Sequence, residues 1–160
     1  NKYNHINSMK NTILIIIVLF LYGCGYSSIY LGKDSNDIKI NITKTEGNRE
    51  MNNLIKNELK LYSNKDSTNI YNLKINTVYK KEILTKDSSG NIQDYTLSVT
   101  SKFEVELNNE KRLIIIKDSA DIKNQSNSFD QNVYEKNIKI NFATLIREEL
   151  LSKIFNIYDN

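Results

Sequence analysis

Tyr95-Thr96-Leu97-Ser98-Val99-Thr100-Ser101-Lys102-Phe103-Glu104-Val105-Glu106-Leu107 alternates apolar and polar side chains over most of its length. Successive side chains of a strand point to opposite faces. Tyr95, Leu97, Val99, Phe103, Val105 and Leu107 therefore share one face, and Thr96, Ser98, Thr100, Lys102 and Glu104 the other. A long strand with one apolar face needs neighbouring strands beside it and a second layer packed on that face.

Upstream, Asp87-Ser88-Ser89-Gly90-Asn91 reads as a hairpin turn from an earlier strand, in which Tyr71, Leu73, Ile75, Thr77 and Tyr79 alternate with polar residues. Downstream, Asn108-Asn109-Glu110 turns the chain again, since Asn tolerates left-handed backbone. Leu113–Ile116 then opens a further strand that runs to about Asn124. Ile38, Ile40 and Ile42 mark a first strand. It is followed by the turn Glu46-Gly47-Asn48, with Asn48 suited to cap a helix and Glu50 in its first turn. Met51, Leu54, Ile55, Leu61 and Tyr62 fall on one face of that helix, which Ser63-Asn64-Lys65-Asp66-Ser67 ends.

The period changes in the tail. Phe142, Ile146, Leu150, Ile154 and Tyr158 form an i+4 ladder flanked by Leu145 and Ile157, with Glu148, Ser152 and Asn156 opposite. This predicts a long amphipathic helix starting between Asp130 and Asn137, packed on the sheet. The order β-α-β-β-β-α describes an α+β two-layer sandwich: a four-stranded mixed sheet with two helices on one face. If the first two strands pair in parallel, the helix between them makes a right-handed crossover. Thr96, Ser98, Thr100 and Lys102 are left on the uncovered face, solvated or available to a partner.

The start of the chain has a different character. Lys10 precedes the apolar run Ile13–Leu21, which is far shorter than the roughly 20 residues a membrane-spanning helix needs. With Leu21-Tyr22-Gly23-Cys24 at its end, the segment has the order of a signal peptide, with Met9 as the start of translation. Its end is similar to the lipobox of bacterial lipoproteins, in which the cysteine is acylated and becomes the first residue. The competing reading is a buried free cysteine or an uncleaved anchor. Residues 1–23 are then signal peptide, 24–35 a lipidated tether, and 36–158 a single domain. Removing residues 1–23 takes away Lys2, Lys10 and His5 and no acid, so the formal charge of +3 falls and the mature chain is nearly balanced. That balance excludes a basic stripe for nucleic acid.

Catalytic parts are scarce. With His5 in the leader, the mature chain has no histidine, which removes Ser-His-Asp and Cys-His arrangements and the common zinc sites. Glu104 and Glu106 share a strand face in no recognisable catalytic pattern, and Ser101 and Lys102 point to opposite faces. No glycine-rich phosphate loop is present. The expectation is a binding or adaptor protein, not an enzyme, with no metal and no cofactor beyond the lipid on Cys24.

Two local patterns add a resemblance. Cys24-Gly25-Tyr26 followed by Tyr30 is similar to the mature start of the LPS-assembly lipoprotein (LptE) family. Gln125-Ser126-Asn127-Ser128-Phe129, then Tyr134-Glu135, then Ala143, Ile146 and Leu150, resembles that family's Asn/Ser-rich lead into its C-terminal helix. The resemblance covers essentially the whole mature chain. It implies an outer-membrane lipoprotein, anchored at the periplasmic leaflet, that plugs and helps assemble an LptD-type outer-membrane β-barrel. Such proteins help deliver lipopolysaccharide to the outer leaflet. Gly25, where enteric lipoproteins retained at the inner membrane carry aspartate, fits outer-membrane sorting. Within that picture Lys80, Lys81, Lys86 and Lys102 are candidate lipopolysaccharide contacts, and Ser88, Ser89 and Gly90 candidate barrel contacts. The plainer reading makes those lysines solvated strand-face charges. The alternative function is an auxiliary lipoprotein of an ABC-type lipid transporter, or a pilotin for another barrel.

Overall fold

Alternation over four segments and a helical period over two produce the elements that the patterns call for. A computed structural model of the chain describes residues 38–63, 67 and 69–158. The Met9 and Cys24 readings, the 24–35 tether, most of the loop after the first helix, and the side chains of Ile157 and Tyr158 lie outside the described residues. The elements are β1 (Ile38–Gly47), α1 (Arg49–Leu59) with a 3-10 turn (Lys60–Tyr62), β2 (Asn69–Lys86), β3 (Ile92–Leu107), β4 (Glu110–Lys123) and α2 (Ser128–Tyr158). The sheet order is β1-β2-β3-β4, with β1 parallel to β2 and the other neighbours antiparallel.

Gly47 ends β1. Its φ is +83°, and a Cβ there would stand 2.2 Å from the Thr77 carbonyl oxygen, so only glycine lets the two strands approach. The next amide, Asn48 N–H, donates to that same carbonyl at 2.6 Å. The Asn48 side chain then accepts from Met51 N–H at 2.9 Å, capping α1. At the other end of the sheet, Asn108 and Asn109 both have positive φ, which sets a two-residue turn between β3 and β4.

The core lies between the sheet and the two helices. Leu73, Ile75, Leu97, Val99, Phe103, Ile114 and Ile116 of the sheet meet Met51, Ile55 and Leu59 of α1 and Phe142, Ile146, Leu150 and Ile154 of α2. Thr77 and Ser101, both 0% exposed, satisfy each other inside it with hydroxyl oxygens 3.0 Å apart. Lys102 points the other way, as strand alternation requires.

Details depart from the sequence reading. Leu61 is 73% exposed, because the chain tightens into a 3-10 turn after Leu59 and carries that side chain off the buried stripe. Leu145 is half-exposed beside its buried neighbours. α2 begins at Ser128, before the span expected for its start. Asn127 acts as its cap, its side chain accepting from Phe129 N–H and its carbonyl from Gln131 N–H, so the helix starts within the Asn/Ser-rich lead itself. The uncovered sheet face is also less polar than expected, since Val78, Leu113 and Ile115 stand exposed on it.

Candidate functional site

The uncovered face is a grid whose rows follow from the strand register. Asn76, Lys102 and Ile115 make one row; Val78, Thr100 and Lys117 the next; Lys80, Ser98 and Ser119 the third. Most charges around this centre are already engaged. Lys44 pairs with Glu46 at 2.6 Å, Lys74 with Glu104 at 3.3 Å, and Lys111 with Glu106 at 3.7 Å. Asp121 accepts the Thr96 hydroxyl at 2.6 Å. Lys80, Lys102 and Lys117 have no ion pair or hydrogen bond among the described residues.

Those three lysines surround the hydroxyls of Ser98, Thr100 and Ser119. Lys102 and Lys117 are diagonal neighbours, with a separation of roughly 7–8 Å at the backbone. At Lys102 the face dips into an open depression of about 200 Å³, lined also by the paired Lys44–Glu46 and Lys74–Glu104 and by Asn76 and Leu113. Three free ammonium groups, a hydroxyl floor and flanking apolar side chains suit an amphiphile with an anionic head. Ammonium groups bind phosphate or carboxylate oxygens through charge-assisted hydrogen bonds. Among the described residues no group of three or more His, Cys, Asp or Glu stands together as a metal site.

The structure splits the lysines singled out in the sequence. Lys80 and Lys102 share the open face, but Lys81 points to the helix side. There the Glu135 carboxylate accepts from Lys81 Nζ at 2.8 Å and from the Tyr79 hydroxyl at 2.9 Å. Lys139 lies 3.3 Å from the same carboxylate and donates to Glu50 at 2.9 Å. Lys81 sits 4.4 Å from the Tyr95 ring centroid, and Lys139 sits 4.7 Å from that of Tyr79. Burial would raise the Glu135 carboxyl, yet the hydrogen bonds from Lys81, Tyr79 and Lys139 hold it below the usual carboxylate range. Burial would likewise lower Lys139, and its two glutamate partners raise it instead. Burial and the Glu135 hydrogen bond push the Tyr79 phenol upward. This cluster pins the β2–β3 hairpin to both helices, so Lys81 serves the fold.

Lys86 stands exposed at the end of β2, and Ser88, Ser89 and Gly90 form the exposed tip. Asp87 organises that tip, accepting from the amides of Ser89 at 2.9 Å and Asn91 at 2.8 Å. Side-chain and backbone hydrogen bonds from Asn91 hold the Asp87 carboxyl below its ordinary range. Two consecutive exposed apolar residues, Ile83 and Leu84, sit beside the tip where β-bulges interrupt the register. A second apolar surface lies at the start of α2, an open depression of about 490 Å³ lined by Lys123, Phe129, Val133 and Tyr134.

Lys117 is the residue that the sequence did not point to. It shares the alternation of Leu113 and Ile115, but only the register of β4 against β3 brings it next to Lys102.

No protein-family model and no curated protein matches the sequence. Among solved structures, rare lipoprotein B from Shewanella oneidensis superposes with a TM-score of 0.54 at 18% identity, covering 73% of this chain and 98% of that one. A lipoprotein B from Nitrosomonas europaea gives a TM-score of 0.49 at 9% identity, over 72% of this chain and 84% of that one. A minor lipoprotein from Acinetobacter baumannii gives 0.46 at 12% identity, over 69% and 93%. The first of these establishes a shared fold.

Proposed function

We propose that this chain is an outer-membrane lipoprotein of the LptE kind, acylated at Cys24 and seated with an LptD-type β-barrel. In this reading it is an adaptor without catalytic residues, and it helps hand lipopolysaccharide to the outer leaflet. The observation that carries the reading is the uncovered sheet face. Lys80, Lys102 and Lys117 are free there, beside a hydroxyl floor and exposed Val78, Leu113 and Ile115. The lysines meet phosphates of the lipid A headgroup through charge-assisted hydrogen bonds, and the apolar residues meet its acyl portion. The lipobox-like Leu21–Cys24 and the fold shared with rare lipoprotein B support the lipoprotein assignment. The polar turns and the hydroxyl and lysine side chains among the apolar residues of that face suit contact with the water-filled lumen of a large barrel, whose interior is polar. Two or more acyl chains on Cys24 give stable anchoring, at about 0.8 kcal/mol per buried CH₂.

Extraction in mild detergent and co-purification test the partner. A β-barrel whose gel mobility changes on heating supports the reading, whereas an inner-membrane ATPase complex in its place would overturn it. Mass spectrometry of the N-terminal peptide tests the anchor. An acylated Cys24 with nothing upstream is the expected result, and an unmodified thiol would remove the membrane assignment.

A further inference from the structure

Among the described residues the sheet has two unpaired edges, and the protein treats them differently. Register and turn geometry identify which backbone groups face outward. The two-residue turn at Asn108-Asn109 makes Leu107 and Glu110 exchange hydrogen bonds, so even-numbered β4 residues bond β3 and odd-numbered ones face out. Along that edge the Ser119 N–H is closed by the Asp118 carboxylate at 2.8 Å, and the Ile115 carbonyl by Lys153 Nζ at 3.3 Å. Lys111, Lys117 and Lys123 add charge to it. These are devices that keep a further strand away.

The other edge belongs partly to β2. The same alternation turns the odd-numbered β2 residues toward β1, but β1 turns away at Gly47, whose register partner is Thr77. Nothing among the described residues pairs with the outward backbone groups of Lys81 and Ile83, and the strand runs on to Lys86. The side chains of Lys80 and Glu82, which flank Lys81, also have no ion-pair partner among the described residues.

We propose that the β2 edge from Tyr79 to Ile83 pairs antiparallel with the same edge of a second copy, about a two-fold axis through Lys81. In that register Lys80 lies opposite Glu82 of the second copy, and by symmetry the contact occurs twice. Tyr79 lies opposite Ile83 of the second copy on the helix side. A slide to the next register that keeps outward groups facing each other sets either Lys80 against Lys80 or Glu82 against Glu82 on the axis. Like charges directly opposite are unfavourable, so the edge selects its own register. Lys81 meets its own symmetry mate, but each is neutralised by its own Glu135 at 2.8 Å. The overlap is short, which makes this a weak association favoured where a lipid anchor concentrates the chains.

Sedimentation of the purified mature lipoprotein in detergent, over a range of protein concentrations, tests the pairing. The native protein self-associates. Lys80→Glu and Glu82→Lys, each exposed and leaving the circular dichroism unchanged, weaken that association about tenfold. A mixture of the two single variants restores it, because the acid introduced into one chain then faces the base introduced into the other, and the native Lys80–Glu82 contact survives on the other side of the axis. Glu82→Lys leaves Lys80, Lys102 and Lys117 in place, so its effect on pairing is distinct from any loss of anion binding. A native protein that stays monomeric throughout, single variants that associate like the native chain, or a mixture that fails to associate would each overturn the proposal.

Discussion

Replacing Gly47 with alanine probes the junction on which the entry to α1 depends. Alanine at a left-handed position costs about 1–2 kcal/mol from backbone strain. The new Cβ would also lie 2.2 Å from the Thr77 carbonyl oxygen, a backbone atom with no free rotation to escape. Relief requires β1 and β2 to separate, which breaks the 2.6 Å Asn48 N–H bond to that oxygen, worth about 0.5–1.5 kcal/mol. The separation also pulls Asn48 away from Met51 and weakens the α1 cap by about 1 kcal/mol. The expected loss is about 3–4 kcal/mol, a large share of the roughly 5–15 kcal/mol typical of a domain. In urea, with a slope of about 1–3 kcal/mol/M, the unfolding midpoint falls by about 2 M. Gly90→Ala supplies the control. Gly90 has nearly the same φ, +86°, but a Cβ there has nothing within 4 Å, so only the strain of about 1–2 kcal/mol applies. Equal losses at the two glycines would refute the close-approach reasoning and leave backbone strain as the whole effect.

Phe142 is 2% exposed, and Phe142→Ala is expected to cost about 3–5 kcal/mol by denaturant unfolding; a loss under about 1 kcal/mol would mean that α2 is not docked through this stripe. Glu135, with its carboxyl held low, contributes stability that is fully present above the ordinary Glu value of about 4.3 and is lost as pH falls through its lowered folded value. The stability gap between the native protein and Glu135→Gln should therefore be wide at pH 7 and narrow toward pH 3, and a gap independent of pH would detach the carboxylate's charge from the pinning of the hairpin. Reversing Lys80, Lys102 and Lys117 together to glutamate is expected to weaken lipopolysaccharide binding, with the native advantage shrinking as salt rises; undiminished binding would assign these charges to solubility. Deleting Ser88-Ser89-Gly90 is expected to loosen the barrel complex while the domain stays folded, and an unchanged yield on co-purification would clear the tip of a docking role.

Periodicity was enough to specify the elements and their faces. Tyr95–Leu107 cannot bury both of its faces, the ladder from Phe142 to Ile154 has only one apolar side, and Gly47-Asn48 marks a turn into a helix. These are local facts, fixed by the two-residue period of a strand and the 3.6-residue period of a helix. Periodicity does not follow geometry that changes over a single turn: Leu61 leaves its stripe where the α-helix tightens, and α2 takes its cap from Asn127 within the Asn/Ser-rich lead. Which charges become neighbours is a property of the folded chain. Lys80 and Lys81 are adjacent in sequence and lie on opposite faces, one free and the other held by Glu135, which is 54 residues away. Lys117 joins Lys102 across a strand register that no pattern within β4 encodes. The point at which β1 abandons β2 likewise depends on a close approach between Gly47 and Thr77. Periodicity assigns each side chain to a face, but neighbours on that face come from pairing between segments distant in sequence, and pairing is set by the packing of the whole core.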